Sequence, residues 1–371
     1  MIVKNETPVL DRLIKSVKDV IDYYVIVDTG STDGTPEFIK NRMNRYGIDG
    51  EVIVEPWVNF AVNRNQALQH ACTRRNSGWL LFIDADEELQ HTAPAFYRRL
   101  QPGVTYCLHK RIQDICYALP NLIDISENRW QWQGAVHEYL EHVEGTGIRE
   151  VIEDTWIQVY QGEGTRSRGY TEEQKFLRDA ALLEEEVQKN PADARSRFYL
   201  AQSYRDAGRY ELAYRNYCKR AAMPGWVEET FMAQLQAGHM AANLNLPCAT
   251  VLEAYQKAYE LRPTRAESLH ALALYCRQHE QFNLACLFAK RGLEIVYPND
   301  ILFVNPAVYH WQLLDELAVS AYWAGHYQES KAACEEIFRR EADGIIKLSS
   351  QDSRRVRDNF DFAQAKLNAS L

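Results

Sequence analysis

The stretch Phe82-Ile83-Asp84-Ala85-Asp86-Glu87-Glu88-Leu89 decides how the first half of the chain is read. Ahead of it, Trp79-Leu80-Leu81-Phe82-Ile83 is a short run of apolar, aromatic and β-branched residues, the composition of a strand buried on both faces. It stops abruptly at four acidic residues among five, so a buried strand is expected to deliver carboxylates to a sheet edge. In extended chain Asp84 and Asp86, two apart, point the same way, whereas Asp84 and Glu87 do not. Two carboxylates held that close repel unless a cation sits between them, and hard oxygen ligands suit Mn2+ or Mg2+. The spacing therefore predicts a metal site serving a phosphorylated ligand. The plainer alternative is an acidic loop that opens a helix near residues 92–94, with Glu87 and Glu88 simply solvated.

Working outward, the preceding residues alternate strand and helix signals. Ile2-Val3 and Tyr24-Val25-Ile26-Val27 are strand-like, and Val9, Leu10, Leu13, Ile14 and Val17 recur between them at helical spacing. Helices near 35–43 and 61–72 and a strand over 51–54 continue the pattern, which predicts a mainly parallel sheet covered on both faces. Ligands bind at the carboxyl ends of such strands, and the unusual residues lie there. The second strand runs into Asp28-Thr29-Gly30-Ser31-Thr32-Asp33-Gly34-Thr35, a loop of turn formers and caps. Asp28 is suited to accept from a ribose hydroxyl or a base N–H, and Asp33 to do the same or to cap the next helix. Arg64 and Asn65 stand early in a helix, where a cation opposes the macrodipole and calls for an anionic partner.

Four separated motifs, Ile2-Val3-Lys4-Asn5-Glu6, Val27 to Thr35, Phe60 to Leu68 and Phe82 to Leu89, together resemble a family 2 glycosyltransferase of the GT-A fold, over about residues 1–165. The resemblance implies a Rossmann-like catalytic domain that takes a nucleoside-diphosphate sugar, with UDP the expected nucleotide. It implies that Glu6, Asp28 and Asp33 meet the nucleotide, that Arg64 and Asn65 face the nucleotide sugar, and that Asp84 and Asp86 meet the metal-bound diphosphate, Asp86 being the direct ligand.

Residues 104–125 carry two strand-like runs and predict a hairpin-like region. The segment Trp130-Gln131-Trp132-Gln133-Gly134-Ala135-Val136-His137-Glu138 follows. Exposed tryptophans beside polar groups suit sugar stacking, while packing in a core is the commoner fate of any single one. An inverting transfer needs a base for the acceptor proton. In similar glycosyltransferases with helical repeats a Trp-x-Gly-x-x-His-Glu segment occurs here, which makes Glu138 the candidate base and His137 a candidate metal ligand. Neighbours on one strand point oppositely, so both can act only if the chain turns at this point.

From Pro191 onward internal similarity replaces the strand signal. Ala201, Gly208, Tyr210 and Ala213 lie at offsets 0, 7, 9 and 12; Ala273, Glu280, Phe282, Ala285 and Ala318, Gly325, Tyr327, Ser330 repeat them, and Gly238, Asn245, Pro247, Thr250 is a weaker copy. The starts at 201, 238, 273 and 318 are 37, 35 and 45 apart, near the ~34-residue tetratricopeptide (TPR) period with one insertion around 300–308. Pro263 and Pro298 should each end the second helix of a unit. The division expected is a catalytic domain over 1–165, a helical linker over 166–190 and an all-α TPR-like array over 191–371, whose concave face suits a protein or peptide acceptor or self-association as a homodimer.

Composition bounds the rest. The 371 residues carry a formal charge of -9, 46% apolar and 25% charged residues, which argues against general nucleic-acid binding. No stretch approaches the ~20 apolar residues of a membrane span and the N-terminal residues do not read as a secretory signal, so a cytoplasmic enzyme is expected. Eight cysteines without a Cys-x-x-Cys pair fit reduced thiols. Two competing readings are a binding scaffold that has lost catalysis and a nucleotidyl- or phosphotransferase with a similar acidic site.

Overall fold

The computed structural model describes residues 1–93, 95–112, 115–126, 129–144, 148–160 and 162–369. Its contacts divide the chain into two compact units, Met1–Pro191 and Ala192–Leu371.

In the first unit β1 (Ile2–Val3), β2 (Tyr23–Asp28) and β3 (Asp49–Val54) form a three-stranded parallel sheet in that order. Parallel strands require crossovers, and the apolar stripe already noted makes the first one: α1 (Thr7–Val17) buries Val9, Leu10, Leu13, Ile14 and Val17. The second crossover is α2 (Thr35–Arg45), entered through Gly34 at φ 84°. After β3, α3 (Phe60–Arg74) begins at Asn59, whose side chain accepts from the Val62 amide.

The strand before the acidic stretch departs from expectation. β4 (Trp79–Leu81) pairs antiparallel, in a second sheet, with β7 (Ile115–Asp124), not as a fourth parallel strand. It also ends before Phe82 and Ile83. Phe82 is held from the side by Asn121, whose carbonyl accepts from the Phe82 amide at 2.8 Å and whose side-chain amide donates to the Phe82 carbonyl at 2.9 Å. Beyond it the chain reverses, the Glu87 amide donating to the Asp84 carbonyl at 3.1 Å. The extended presentation of Asp84 and Asp86 inferred from residue spacing is thus replaced by a turn, and β5 (Glu87–His91) starts inside the acidic stretch.

The second sheet has the order β4-β7-β6-β10-β5, where β6 is Val104–Ile112 and β10 is Ile148–Val159. β6 and β7 pair antiparallel, as the hairpin reading of 104–125 requires, although its turn residues 113–114 lie outside the described residues. Between them and β10, β8 (Trp130–Gln133) and β9 (Tyr139–His142) form a separate two-stranded ribbon. The core joins the α1 stripe to Ile83, Ala85, Leu89, Leu108 and Ile157, so the acidic turn is anchored from below by its own apolar residues. The unit closes with α4 (Glu172–Lys189), opened by a Thr171/Gln174 capping box.

Beyond Val159 every regular element among the described residues is helical. The second unit pairs α5 (Ala194–Asp206) with α6 (Tyr210–Ala221), α7 (Val227–Asn243) with α8 (Cys248–Leu261), α9 (Glu267–Gln278) with α10 (Phe282–Leu293) and α11 (Leu313–Trp323) with α12 (Tyr327–Ala342), then adds α13 (Ser350–Asn368). The repeat offsets have a physical meaning here. At offset 7, Gly208, Asn245, Glu280 and Gly325 all have positive φ, between 52° and 82°, and make the left-handed turn that ends each first helix. At offset 0, Ala201, Ala273 and Ala318 are buried, and a Cβ on Gly238 would fall 2.4 Å from the Tyr255 ring. The insertion after α10 is pinned by ion pairs of Asp300 with Arg262 and with the fully buried Arg265.

Candidate functional site

The carboxyl ends of β1 and β2 form one half of the site. Loops 4–7 and 28–35 are laced together: the Asn5 amide donates to Ser31 Oγ at 2.8 Å, the Thr32 amide to Asn5 Oδ1 at 2.7 Å and the Glu6 amide to Thr35 Oγ1 at 2.9 Å. Asp33 belongs to this lacing. Its Oδ1 accepts from the Thr35 amide and hydroxyl and its Oδ2 from the Thr7 amide; although burial works the other way, these bonds hold its carboxyl below the usual range. That is the capping alternative. Asp28 behaves differently. Buried at the end of β2, it accepts from the Gly30 and Ser31 amides through Oδ1, and its Oδ2 is buried without a hydrogen-bond donor among the described residues. A buried carboxylate oxygen left bare is costly, and a ligand N–H or O–H at the strand end would satisfy it.

The other half is assembled around Arg64. From the first turns of α3, its Nε donates to Glu138 Oε1 at 2.8 Å and its terminal nitrogen contacts Asp84 at 2.9 Å, while the guanidinium lies 4.9 Å from the Trp132 ring. The anionic partner demanded by its place near a helix N-terminus is therefore a pair of carboxylates. Burial disfavours the Arg64 charge, but Asp84 and Glu138 outweigh it and raise its pKa further. The converse holds at Asp84, where burial is overcome by Arg64 and then Lys110, and the carboxyl is held down to about 2.

Asp86 has no such partner. No side chain among the described residues hydrogen-bonds its carboxylate, and burial followed by the charges of Asp84 and Glu6 pushes its pKa up. An anion crowded by anions is an environment that favours a cation. Among the described residues no three of His, Cys, Asp and Glu come together as a ready-made metal cage. Two carboxylates with an incomplete shell still fit the mode in which Mg2+ or Mn2+ is completed by substrate phosphates and water.

Gly134 at φ 90° and His137 at φ 55° supply the turn that a joint role of His137 and Glu138 requires. It carries Glu138 to Arg64 and leaves His137 exposed, and among the described residues His137 joins no group of three potential metal ligands. Asn65 is also directed elsewhere. Its side chain exchanges two hydrogen bonds with the Trp132 backbone, at 2.8 and 2.7 Å, fastening α3 to β8. Both tryptophans are half-buried and make aromatic contacts: Trp132 meets Phe82 edge-on at 5.0 Å and Trp130 meets His142 at 4.9 Å.

Five contributors escaped the sequence reading. Glu87, expected in solvent on the plainer reading, is 3% exposed and paired with Lys110 of β6 at 2.5 Å. Thr165 and Arg168, from the segment after β10, both bind Glu6, at 2.9 Å each. Gly164 packs so closely on Asp86 that a Cβ would lie 2.7 Å from its Oδ2. The available signals were the basic run His109-Lys110-Arg111 at the end of a largely apolar strand and the glycine-rich run 162–169, and neither names its partner.

Residues 1–114 match the family model described as glycosyl transferase family 2. The chain is 32% identical over 125 residues to an uncharacterized glycosyltransferase of Rickettsia felis, covering 33% of this chain and 38% of that protein. It is 36% identical over 87 residues to the SPbeta prophage-derived glycosyltransferase SunS of Bacillus subtilis (23% and 19% covered), and 37% identical over 90 residues to a TPR repeat-containing protein of Synechococcus elongatus (24% and 20%). The chain thus spans well under half the length of these relatives. Among solved structures, a MamA protein aligns with a TM-score of 0.38 at 14% identity over 47% of this chain and 87% of that one. The TPR protein YrrB aligns at 0.36 and 14%, over 46% and 80%. No helix among the described residues is long and apolar enough to cross a membrane. The N-terminal α/β unit is thus similar to family 2 glycosyltransferases over residues 1–114, and an array of paired helices follows it in the same chain.

Proposed function

We propose that the first unit transfers a sugar, with inversion, from a nucleoside diphosphate, UDP being the expected nucleotide, to a hydroxyl, amide or thiol of a protein or peptide in the cytoplasm. The observation that carries the reading is the division of labour among the carboxylates. Arg64 engages Asp84 and Glu138, whereas among the described residues no side chain donates to Asp86 and one oxygen of Asp28 has no donor.

Asp28 Oδ2 accepts from the base or ribose of the donor, and the laced loops 4–7 and 28–35 hold it rigid. Mn2+ or Mg2+, held by Asp86 with Asp84 and donor phosphate oxygens, would offset the charge that builds on the leaving diphosphate. Arg64 adds a guanidinium beside the same diphosphate, in a position that excludes water and needs little reorganisation. Glu138, oriented by the Arg64 Nε–H, takes the acceptor proton through its second oxygen; a positioned base contributes about 100- to 10,000-fold in rate. The helical array has no part in this chemistry and is assigned to acceptor capture or self-association.

The test is release of sugar from each of a panel of nucleotide sugars, with and without Mn2+. Turnover of one donor, abolished by chelator and by Asp86→Ala, is the expected result; no hydrolysis or transfer with any donor, or full activity of Asp86→Ala, contradicts the assignment. For the acceptor role, a chain ending at Pro191 should keep donor binding and lose transfer to the natural acceptor at low acceptor concentration. Unchanged transfer would leave only self-association or stability to the repeats.

A further inference from the structure

Glu87 has one job on each oxygen. Its Oε2 accepts from the Asp84 amide at 2.9 Å, and its Oε1 accepts from Lys110 Nζ at 2.5 Å. Lys110 lies on β6 and Glu87 opens β5, with β10 between them, so the ion pair reaches across an intervening strand to the turn. Both side chains are buried, at 13% and 4% exposure. A buried ion pair seldom gains stability over apolar residues of the same volume, because desolvation offsets the attraction. Its place here therefore calls for another reason, and the turn it touches supplies one: the Glu87 amide bonds the Asp84 carbonyl while the Glu87 carboxylate bonds the Asp84 amide.

We propose that Lys110 is a positioning residue for the candidate donor site: through Glu87 it locks the Asp84–Glu87 turn in the form that presents the Asp84 and Asp86 carboxylates to a cation and its diphosphate. The inference rests on reading those aspartates as the diphosphate site. Lys110 touches neither ligand nor reacting atoms; it fixes the one anion that holds the Asp84 backbone. Without its ammonium, buried Glu87 loses the partner that orients it and turns away, and the amide of Asp84 loses its acceptor.

A purely through-space role gives the opposite sign. Lys110 is a positive charge near two carboxylates, so its removal by itself should tighten cation binding, whereas loss of positioning should weaken it. The experiment titrates the full chain with Mn2+ alone by calorimetry and follows hydrogen exchange of the peptide spanning 82–89. Lys110→Met is expected to weaken Mn2+ about 10- to 100-fold, the usual effect of removing a group that orients a metal ligand, and to accelerate exchange at 82–89 with the rest of the chain unchanged. Lys110→Arg should recover most of both, and Lys110→Met combined with Glu87→Gln should do no more damage than either alone. Should Lys110→Met not fold, the near-isosteric Glu87→Gln is read on the same two measurements. Mn2+ binding that is unchanged or tighter, or exchange at 82–89 that does not move, overturns the inference while the donor site stands. A wild-type chain that binds no Mn2+ and turns over no donor overturns the reading of the site, and this inference with it.

Discussion

Arg64 and Glu138, 74 positions apart, meet through a single Nε–Oε1 hydrogen bond of 2.8 Å, and the same guanidinium holds Asp84. One side chain thus joins the acidic turn to the loop between β8 and β9. Glu138→Gln keeps a carbonyl to accept from Arg64 but removes the base. The expected outcome is a kcat lower by about 100- to 10,000-fold with donor KM and Tm nearly unchanged, measured by steady-state kinetics and calorimetry.

Arg64→Ala should behave differently, because it strands two carboxylates. With Arg64 only 12% exposed, the loss is on the scale of a broken buried pair, about 3–5 kcal/mol. Chemical denaturation of the Met1–Pro191 unit is expected to shift accordingly, and Arg64→Lys should restore charge without the two-pronged geometry and recover only part of the loss.

In the helical array, Gly238→Ala drives a methyl group to 2.4 Å from the Tyr255 ring. That ring is buried and hydrogen-bonded to His239, so it has little room to yield. Overpacking of this kind costs about 1–3 kcal/mol, and thermal melting should fall by several degrees.

Glu280 gives the opposite case. It occupies the left-handed turn position at φ 59° where two other units have glycine. Glu280→Gly relieves roughly 1–2 kcal/mol of backbone strain and returns part of it as unfolded-chain entropy. A rise in Tm of about 2 °C is expected.

Asp300 contributes to the pH dependence of the array. Hydrogen bonds from Arg262, partly opposed by burial and then reinforced by Arg265, hold its carboxyl below the usual range. A depressed carboxyl pKa contributes stability that is present above the unfolded value, about 3.9, and is lost as pH falls through the folded one. Asp300→Ala should therefore lower Tm by several degrees at pH 7, and its difference from wild type should shrink progressively below about pH 4, as read from melting curves across that range.

Local pattern carried a large part of this protein by itself. Apolar periodicity located α1 and the parallel strands, because burial on one stripe leaves a period of 3.6 in any sequence that folds that way. The offset-7 position located every turn between paired helices, even where Asn245 or Glu280 replaces glycine, because its neighbours at offsets 0 and 12 fix the packing around it. Asp28, Arg64, Asp84 and Asp86 could likewise be singled out as candidates, since polar residues at a strand end or an arginine near a helix start call for a partner. What only the tertiary structure decided is which of them face one another. Alternation states which side of a strand a residue occupies but not its partner strand, so β4 went to the antiparallel sheet and the acidic stretch became a turn. Ion pairs between residues far apart in the chain, such as Arg168 with Glu6 across 162 positions, leave no periodic trace. The roles of Lys110, Gly164 and Arg168, and the engagement of Asp33 and Asn65 by nearby backbone, follow from distances that close only when the sheets and loops are brought together.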